Sequence, residues 1–410
     1  MLMKLNINSE IGKLKKVLLH RPGKEVENFT PSLMARLLFD DIPYLKVAQE
    51  EHDYFADLLR KKGTEVYYIE DLLADVMKDS DLKMNLIDDF LEKTGLITVS
   101  KDVVLNYLLS LSDNKAIASK LIAGIRKDEI EYKQKDLSAL ADRNYPFVSD
   151  PLPNMYFTRD IGAVIENGIS LNRMFTDARK RETLFVKYVL KYHPEFKESD
   201  IPYWYHRENN ASIEGGDILV LSKELLAIGI SQRTNANAIK KLASRIFNSD
   251  RATTKIILAF RIPEKRAFMH LDTVFTQVDH DKFTVHAKIE GPLEVYVIKP
   301  GAGGLLIEEE NMSLEKILTK HLNRKVTLIR CGLGDPIVGG REQWNDGSNT
   351  LAISPGEVVV YARNYVTNQA LKDHGVTTHT IKGSELSRGR GGPRCMSMPF
   401  SKGMIKMEKT

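Results

Sequence analysis

Four times along this chain a short polar cluster stands immediately before two short apolar runs joined by a turn. Arg159-Asp160 precedes Ala163–Ile165, the turn pair Asn167-Gly168 and Ile169–Leu171. An Asn-Gly pair between apolar runs is a strong hairpin signal. Glu214-Gly215-Gly216-Asp217 precedes Ile218–Val220 and the return Leu225–Ile230. His270-Leu271-Asp272-Thr273 precedes Val274-Phe275 and Phe283–Val285, and Asn345-Asp346-Gly347-Ser348 precedes Leu351–Ile353 and Glu357–Tyr361. If such units are equivalent and arranged about an axis, their polar clusters occupy equivalent places and can converge.

A second repetition supports this. Lys16–His20 reads as a strand, an amphipathic helix follows from about Tyr44 to Lys62, Gly63 ends it, and Val66–Ile69 is a strand again. The same order recurs around Val358–Tyr361, Gly375 and Val376–Ile381, and around Leu225–Ile230, a helix near Asn237–Phe247 and Lys255–Leu258. Strand–helix alternation also suits a doubly wound sheet. The repeated hairpins favour an α/β propeller instead.

One stretch departs from the pattern. Residues 44–145 lack proline, although the chain has 15 prolines. Leu72, Leu73, Val76 and Met77, then Leu82, Leu86, Phe90 and Leu91, then Val104, Leu105, Leu108 and Leu109 recur at helical spacing. The expected organisation is a first module over 1–70, an inserted helical subdomain over 71–145, and the remaining modules over 146–410. At 410 residues the chain exceeds the usual size of one core.

Composition narrows the function. A net charge of +4 is small for this length, and no dense basic run carries interleaved aromatics, which argues against nucleic-acid binding. No segment reads as a signal peptide or a bilayer span. Two cysteines far apart, Cys331 and Cys395, exclude a disulfide framework and fit a reducing cytoplasm. They cannot alone build a thiolate zinc site, and no HExxH spacing occurs. Gly215-Gly216 and Gly301-Ala302-Gly303-Gly304 lack the rest of a phosphate-binding pattern.

Taken singly, each reactive residue has an ordinary explanation. Cys331, after the strand-like Val326–Ile329, reads as a small buried hydrophobe. Glu214 could be a turn carboxylate, Asp160 a cap or ion-pair partner, and His270 a strand-edge histidine. Cys395 lies in the basic, glycine-rich Arg388–Arg394 loop, where exposure would keep the sulfur reachable and cations would lower its pKa. Together, a cysteine, a histidine, its possible glutamate orienter and two acids form a working set for nucleophilic catalysis.

The segments holding these residues resemble the arginine deiminases. They are Leu18-Leu19-His20-Arg21-Pro22-Gly23, Pro153–Asp160, Ser212–Asp217, Met269–Thr273 and Arg394–Pro399, in family order along nearly the full chain. The resemblance implies a pentein fold: five ββαβ-like modules with pseudo-fivefold symmetry and a helical insertion. It implies hydrolysis of L-arginine to citrulline and ammonia, with Cys395 as nucleophile, His270 as acid/base, Glu214 orienting the histidine, and Asp160 and Asp272 holding the guanidinium. Asn154, Phe157, Arg179, Asp217, Arg233 and Arg390 match substrate-binding positions, with Arg181 an alternative to Arg179. It further implies no metal or organic cofactor, a small-molecule substrate and a cytoplasmic homo-oligomer. The alternatives are an amidinotransferase, an agmatine or dimethylarginine hydrolase, a papain-like hydrolase, and a scaffold without turnover.

Overall fold

The computed structural model describes residues 2–94, 99–131, 137, 144–263 and 268–405. Among them, five three-stranded units share one grammar: an antiparallel pair, a helical crossover, and a third strand parallel to the second. Gly162–Ile165 pairs antiparallel with Gly168–Leu171, which runs parallel to Tyr203–Tyr205 after the helix Glu182–Tyr192. The next unit is Ile218–Ser222, Leu225–Ile230 and Ile256–Arg261 around the helix Ala236–Phe247. Phe275–Gln277, Lys282–Val285 and Thr327–Arg330 follow, with the helix Leu314–Leu322. Then come Leu351–Ser354, Glu357–Tyr361 and Thr377–Ile381, with the helix Tyr365–Asp373.

The remaining unit is assembled from both ends of the chain. Met398–Lys402 pairs antiparallel with Leu14–Leu19, which runs parallel to Glu65–Tyr68 beyond the helix Leu45–Lys61. The first module therefore takes its opening strand from the far end of the sequence rather than from residues 1–70. No local pattern could reveal that pairing, because its partners lie almost 400 residues apart.

The crossover helices form where apolar residues recur at helical spacing, and each buries one face. In Leu45–Lys61 the buried positions include Ala48, His52, Phe55, Ala56 and Leu59. Gly63 and Gly375 end two of these helices with φ of +83° and +77°, a conformation costly for any residue with a Cβ. One unit carries an addition that the sequence reading did not single out. The hairpin Pro292–Gly301/Gly304–Ser313 extends the sheet beyond Ile256–Arg261.

Helices Ile69–Val76, Ser80–Thr94, Lys101–Leu109 and Asn114–Ala123 follow the strand Glu65–Tyr68 within the proline-free stretch. Leu72, Leu73, Val76, Leu86, Phe90, Leu91, Val104 and Leu108 are buried, whereas Leu109 is exposed. Phe90 stacks on Phe185 of the neighbouring unit's helix, with ring centroids 5.6 Å apart. Positions 95–98, 132–136 and 138–143 of the expected helical stretch lie outside the described residues.

Candidate active site

Every unit opens with a tight turn just before its first strand, and the polar clusters sit on these turns. Thr158–Ile161 leads into Gly162, Gly215–Asp217 into Ile218, and Leu271–Val274 into Phe275. The fifth cluster is that of Cys395, ahead of Met398–Lys402. Backbone contacts stitch neighbouring turns together. The Arg159 amide donates to the Cys395 carbonyl over 3.1 Å. Asn349 accepts from the Cys395 amide at 3.0 Å and donates to the Asp272 carbonyl at 3.1 Å. Glycines permit the closest approaches: a Cβ at Gly215 would fall 2.0 Å from the Arg159 carbonyl oxygen, and one at Gly216 2.7 Å from the His270 ring.

The result is one narrow cavity lined by Asn154, Phe157, Asp160, Arg179, Arg233, His270, Arg390 and Cys395, with Leu38, Met269 and Gly389. Of the residues expected at the site, only Glu214, Asp217 and Asp272 are not on its wall, and two of these touch groups that are. His270 Nε2 lies 2.8 Å from Glu214 Oε2, which leaves Nδ1 on the side of Asp160, 3.8 Å from its Oδ1. Asp272 places Oδ2 3.7 Å and Oδ1 4.0 Å from Cys395 Sγ. Asp217 stands behind the histidine, accepting from the Leu271 amide at 2.8 Å and from Ser231 Oγ at 2.7 Å. Asp217, expected at the substrate, is fully buried and does not line the cavity. Its Oδ1 holds the turn that carries His270 and Asp272 through the Leu271 amide, and its Oδ2 ties that turn to Ser231.

The arginines divide in the same way. Arg179 Nη1 bonds Asp160 Oδ2 at 2.6 Å, its Nε and Nη2 grip Glu182, and Nη2 also meets the Asn154 and Phe157 carbonyls. Here it fixes Asp160. Arg181 points away, to Ser149 Oγ and the Asp150 carbonyl. Arg233 is 3.9 Å from Glu214, and among the described residues its Nε has no hydrogen-bond partner. Arg390 adopts the left-handed region at φ +64° and stacks 3.5 Å over the Trp344 ring. Asn154 donates to the Leu37 carbonyl at 2.6 Å, and Phe157 lies against Tyr156.

The electrostatics follow from burial among carboxylates. Burial would depress the His270 pKa, but Asp160, the Glu214 hydrogen bond and Asp217 outweigh it and raise the ring to about 9. It is an imidazolium at neutral pH. Burial would raise Glu214, yet the His270 hydrogen bond and the Arg233 charge pull it below the usual carboxylate range. Cys395 departs from the expectation drawn from its basic loop. It is 3% exposed. Burial, then Asp272, Asp160 and Asp346, push its thiol well above the ordinary cysteine value, and Arg394 only partly opposes them. Most of the loop's cations are engaged elsewhere, with Arg388 bonded to Asp41 and Glu385, and Arg394 to Glu10 and Asp272.

Asp160, Glu214 and His270 offer three ligand atoms within 4.8 Å of one another. His270 Nε2 and Glu214 Oε2 are turned on each other and Asp160 Oδ2 on Arg179, while Asp160 Oδ1 has no hydrogen-bond partner among the described residues. Sequence reasoning missed Leu38, Asn349, Glu10 and Arg394. Leu38 takes φ +65°, and nothing in its sequence context signals that.

A propeller of five such units with a cysteine, a histidine and carboxylates at their inner turns defines a pentein-fold enzyme. Solved structures agree on the fold. An amidinotransferase from Microseira wollei, of the saxitoxin biosynthetic pathway, superposes with a TM-score of 0.55 at 16% identity over 98% of both chains. The N-terminal domain of a cyanobacterial arginine dihydrolase gives 0.54 at 12% identity, covering 95% of this chain and 99% of the other. A dimethylarginine dimethylaminohydrolase adduct gives 0.52 at 13% identity, over 94% and 99%.

The arginine deiminase family profile matches residues 35–402. The chain is 56% identical to the arginine deiminase of Clostridium perfringens over 97% of each chain, and 50% identical to that of Borrelia duttonii with the same coverage. The chain belongs to the arginine deiminase family. The expected enzyme class and pentein fold are borne out. Among the described residues no helix is long and apolar enough to cross a membrane.

Proposed function

We propose that this site hydrolyses free L-arginine to L-citrulline and ammonia through a covalent intermediate on Cys395. The carrying observation is that Cys395, His270 and Asp160, from three different units, line one cavity while Asp272, from the turn of His270, flanks the sulfur. Guanidinium is a planar cation and a poor electrophile. Carboxylates on either side can accept its N–H donors and fix its plane, as charge-assisted pairs do elsewhere.

The cation also changes the nucleophile. Guanidinium between Asp160 and Asp272 offsets the negative charge that holds the Cys395 thiol protonated, so its pKa falls on binding and the proton is released to solvent. The thiolate then attacks the guanidinium carbon, forming the C–S bond and a tetrahedral adduct. His270 Nδ1–H protonates the departing nitrogen, the C–N bond breaks, and ammonia leaves an S-alkylthiouronium. Neutral His270 next takes a proton from water as the water oxygen adds to carbon. As the C–S bond breaks, the hydroxyl proton of this second adduct passes to the leaving sulfur, citrulline departs and the resting thiol and imidazolium are restored. Glu214 holds the ring throughout by Nε2, and every step uses groups of this chain.

At the amino-acid end, Arg233, Arg390 and Asn154 provide donors for the substrate carboxylate, and Phe157 packs along its methylenes. Two free cysteines, both buried, fit the same proposal of a cytoplasmic enzyme, which we take to act as a homo-oligomer. Incubation with L-arginine, with and without EDTA, should give stoichiometric citrulline and ammonia at equal rates in both arms. Transfer of the amidino group to an added amine, with no ammonia released, would instead make the chain an amidinotransferase.

A further inference from the structure

Behind Asp272, on the side away from the cavity, lies a fully buried ion network that the reaction as drawn does not use. Arg394 is 1% exposed and immediately precedes the nucleophile. Its Nη1 bonds Asp272 Oδ2 at 2.7 Å. Its Nε and Nη2 fork onto Glu10 at 3.0 and 3.1 Å, and Nη2 also donates to the Ile218 carbonyl at 2.8 Å. Glu10 is itself fixed, accepting from the Val220 amide at 3.1 Å. We propose that Arg394, clamped by Glu10, is a positioning residue for the reaction: it sets the plane of the Asp272 carboxylate and supplies a permanent cation beside Cys395.

The geometry gives this arrangement two consequences. A carboxylate with no partner behind it can rotate about its Cβ–Cγ bond, and its two oxygens then lose their fixed offset from the sulfur and from a guanidinium. With Oδ2 anchored, Asp272 presents one orientation before substrate arrives. The second consequence is electrostatic. Cys395 faces Asp272, Asp160 and Asp346, all of which disfavour the thiolate, and Arg394 is the foremost cation opposing them. Lysine would keep the charge but could not hold Asp272, Glu10 and the Ile218 carbonyl at once, because only guanidinium offers that rigid fork. Glu10 reaches the centre from the N-terminal segment, which ties the opening of the chain to the nucleophile's loop.

The proposal rests on the deiminase reading, and the test separates the two. Wild type, Arg394→Lys and Glu10→Gln are assayed for citrulline release from pH 5 to 10, with thermal melts as a folding control. Alkylation of Cys395 by iodoacetamide is followed in parallel in a Cys331→Ser background. Arg394→Lys should lower kcat by about 10²-fold, the loss that a misplacement of about 1 Å can cause, with KM moving less than about threefold. Arg394→Lys, whose ammonium is no longer held beside the sulfur, should move the alkylation profile to higher pH, whereas Glu10→Gln, one step further out, should lower kcat less and, by removing an anion beside Arg394, move the profile to lower pH. Folded variants with wild-type kcat and an unmoved alkylation profile overturn the positioning role while the deiminase reading stands. If Arg394→Lys does not fold, Glu10→Gln decides alone by the same two readouts. No citrulline from the wild type overturns the deiminase reading itself.

Discussion

Cys331 and Cys395 are both free, both buried and both preceded by structured backbone, yet only one sits where chemistry is possible. Cys331 lies beside the Thr367 hydroxyl at 3.3 Å, away from the cavity, and a Cβ at Gly347 would come within 2.8 Å of its sulfur. Burial raises its thiol to about 11. Cys395 is also raised, first by burial and then by carboxylates. The difference is that the carboxylates around Cys395 can be neutralised by a cation, whereas burial around Cys331 cannot be reversed without unfolding. A resting thiol with a high pKa is thus compatible with nucleophilic catalysis when the substrate carries the missing charge.

The strongest break of this comparison is substitution of the two sulfurs. Cys395→Ser should abolish turnover, and Cys331→Ser should leave kcat/KM nearly unchanged. A rapidly quenched reaction should show an adduct on the peptide containing Cys395 by denaturing mass spectrometry. Appreciable turnover by Cys395→Ser would sink the covalent route.

The carboxylates come next. Each charge-assisted bond contributes about 1.5–3 kcal/mol, so Asp160→Asn and Asp272→Asn should each lower kcat/KM by about tenfold or more. The change is nearly isosteric and circular dichroism should be preserved. Collapse of the spectrum would make these aspartates structural instead.

A similar contrast separates two buried histidines. His20 has Nε2 2.9 Å from Glu25 and Nδ1 2.8 Å from Glu70, so both nitrogens are occupied and the ring, raised to about 10, is a strut. His270 keeps Nδ1 on the cavity side. Both rings have folded pKa values above the unfolded one near ~6.5. Each therefore contributes stability that is complete below that value and lost as pH rises through about 9 for His270 and about 10 for His20. The rate should fall on its alkaline side as pH rises through about 9, where the imidazolium needed to release ammonia is lost. His20→Gln should lower the Tm measured at pH 7 but leave the position of that limb where it was. A limb that moves with His20→Gln would assign the titration to the wrong histidine.

These contrasts also mark what the sequence could reveal. Four hairpins and their polar clusters were legible because Asn167-Gly168 and the alternating strands are local signals. The catalytic candidates were legible because motif segments preserve residue type. The closing strand Met398–Lys402 was not, since pairing with Leu14–Leu19 leaves no local trace. The burial of Cys395 was misread for a related reason. Basic residues in a glycine-rich loop suggest exposure, but Arg394 and Arg388 find their acids at Glu10 and Asp41, hundreds of residues away. The placing of Asp217 was equally hidden: its neighbour Glu214 touches a cavity-lining residue, whereas its own hydrogen bonds face Ser231 and Leu271.

The smallest expected effect distinguishes two arginines of the cavity wall, Arg179 and Arg233. Arg179 is bound on all sides by Asp160, Glu182 and two carbonyls, so its donors hold Asp160, the proposed guanidinium acceptor, in place. Arg233 touches Glu214 only at 3.9 Å, leaving donors for a carboxylate. Agmatine, which lacks that carboxylate, should react more slowly than L-arginine. Arg233→Lys should shrink the ratio of kcat/KM for arginine over agmatine by roughly tenfold, the worth of one charge-assisted bond of about 1.5–3 kcal/mol. Arg179→Lys should slow both substrates alike, because Asp160 loses the fork that orients it and a lysine cannot replace that geometry. The ratio in each variant is the measurement. An equal contraction in both would put Arg179 on the carboxylate as well, and a contraction in neither would move carboxylate recognition to Arg390 and Asn154.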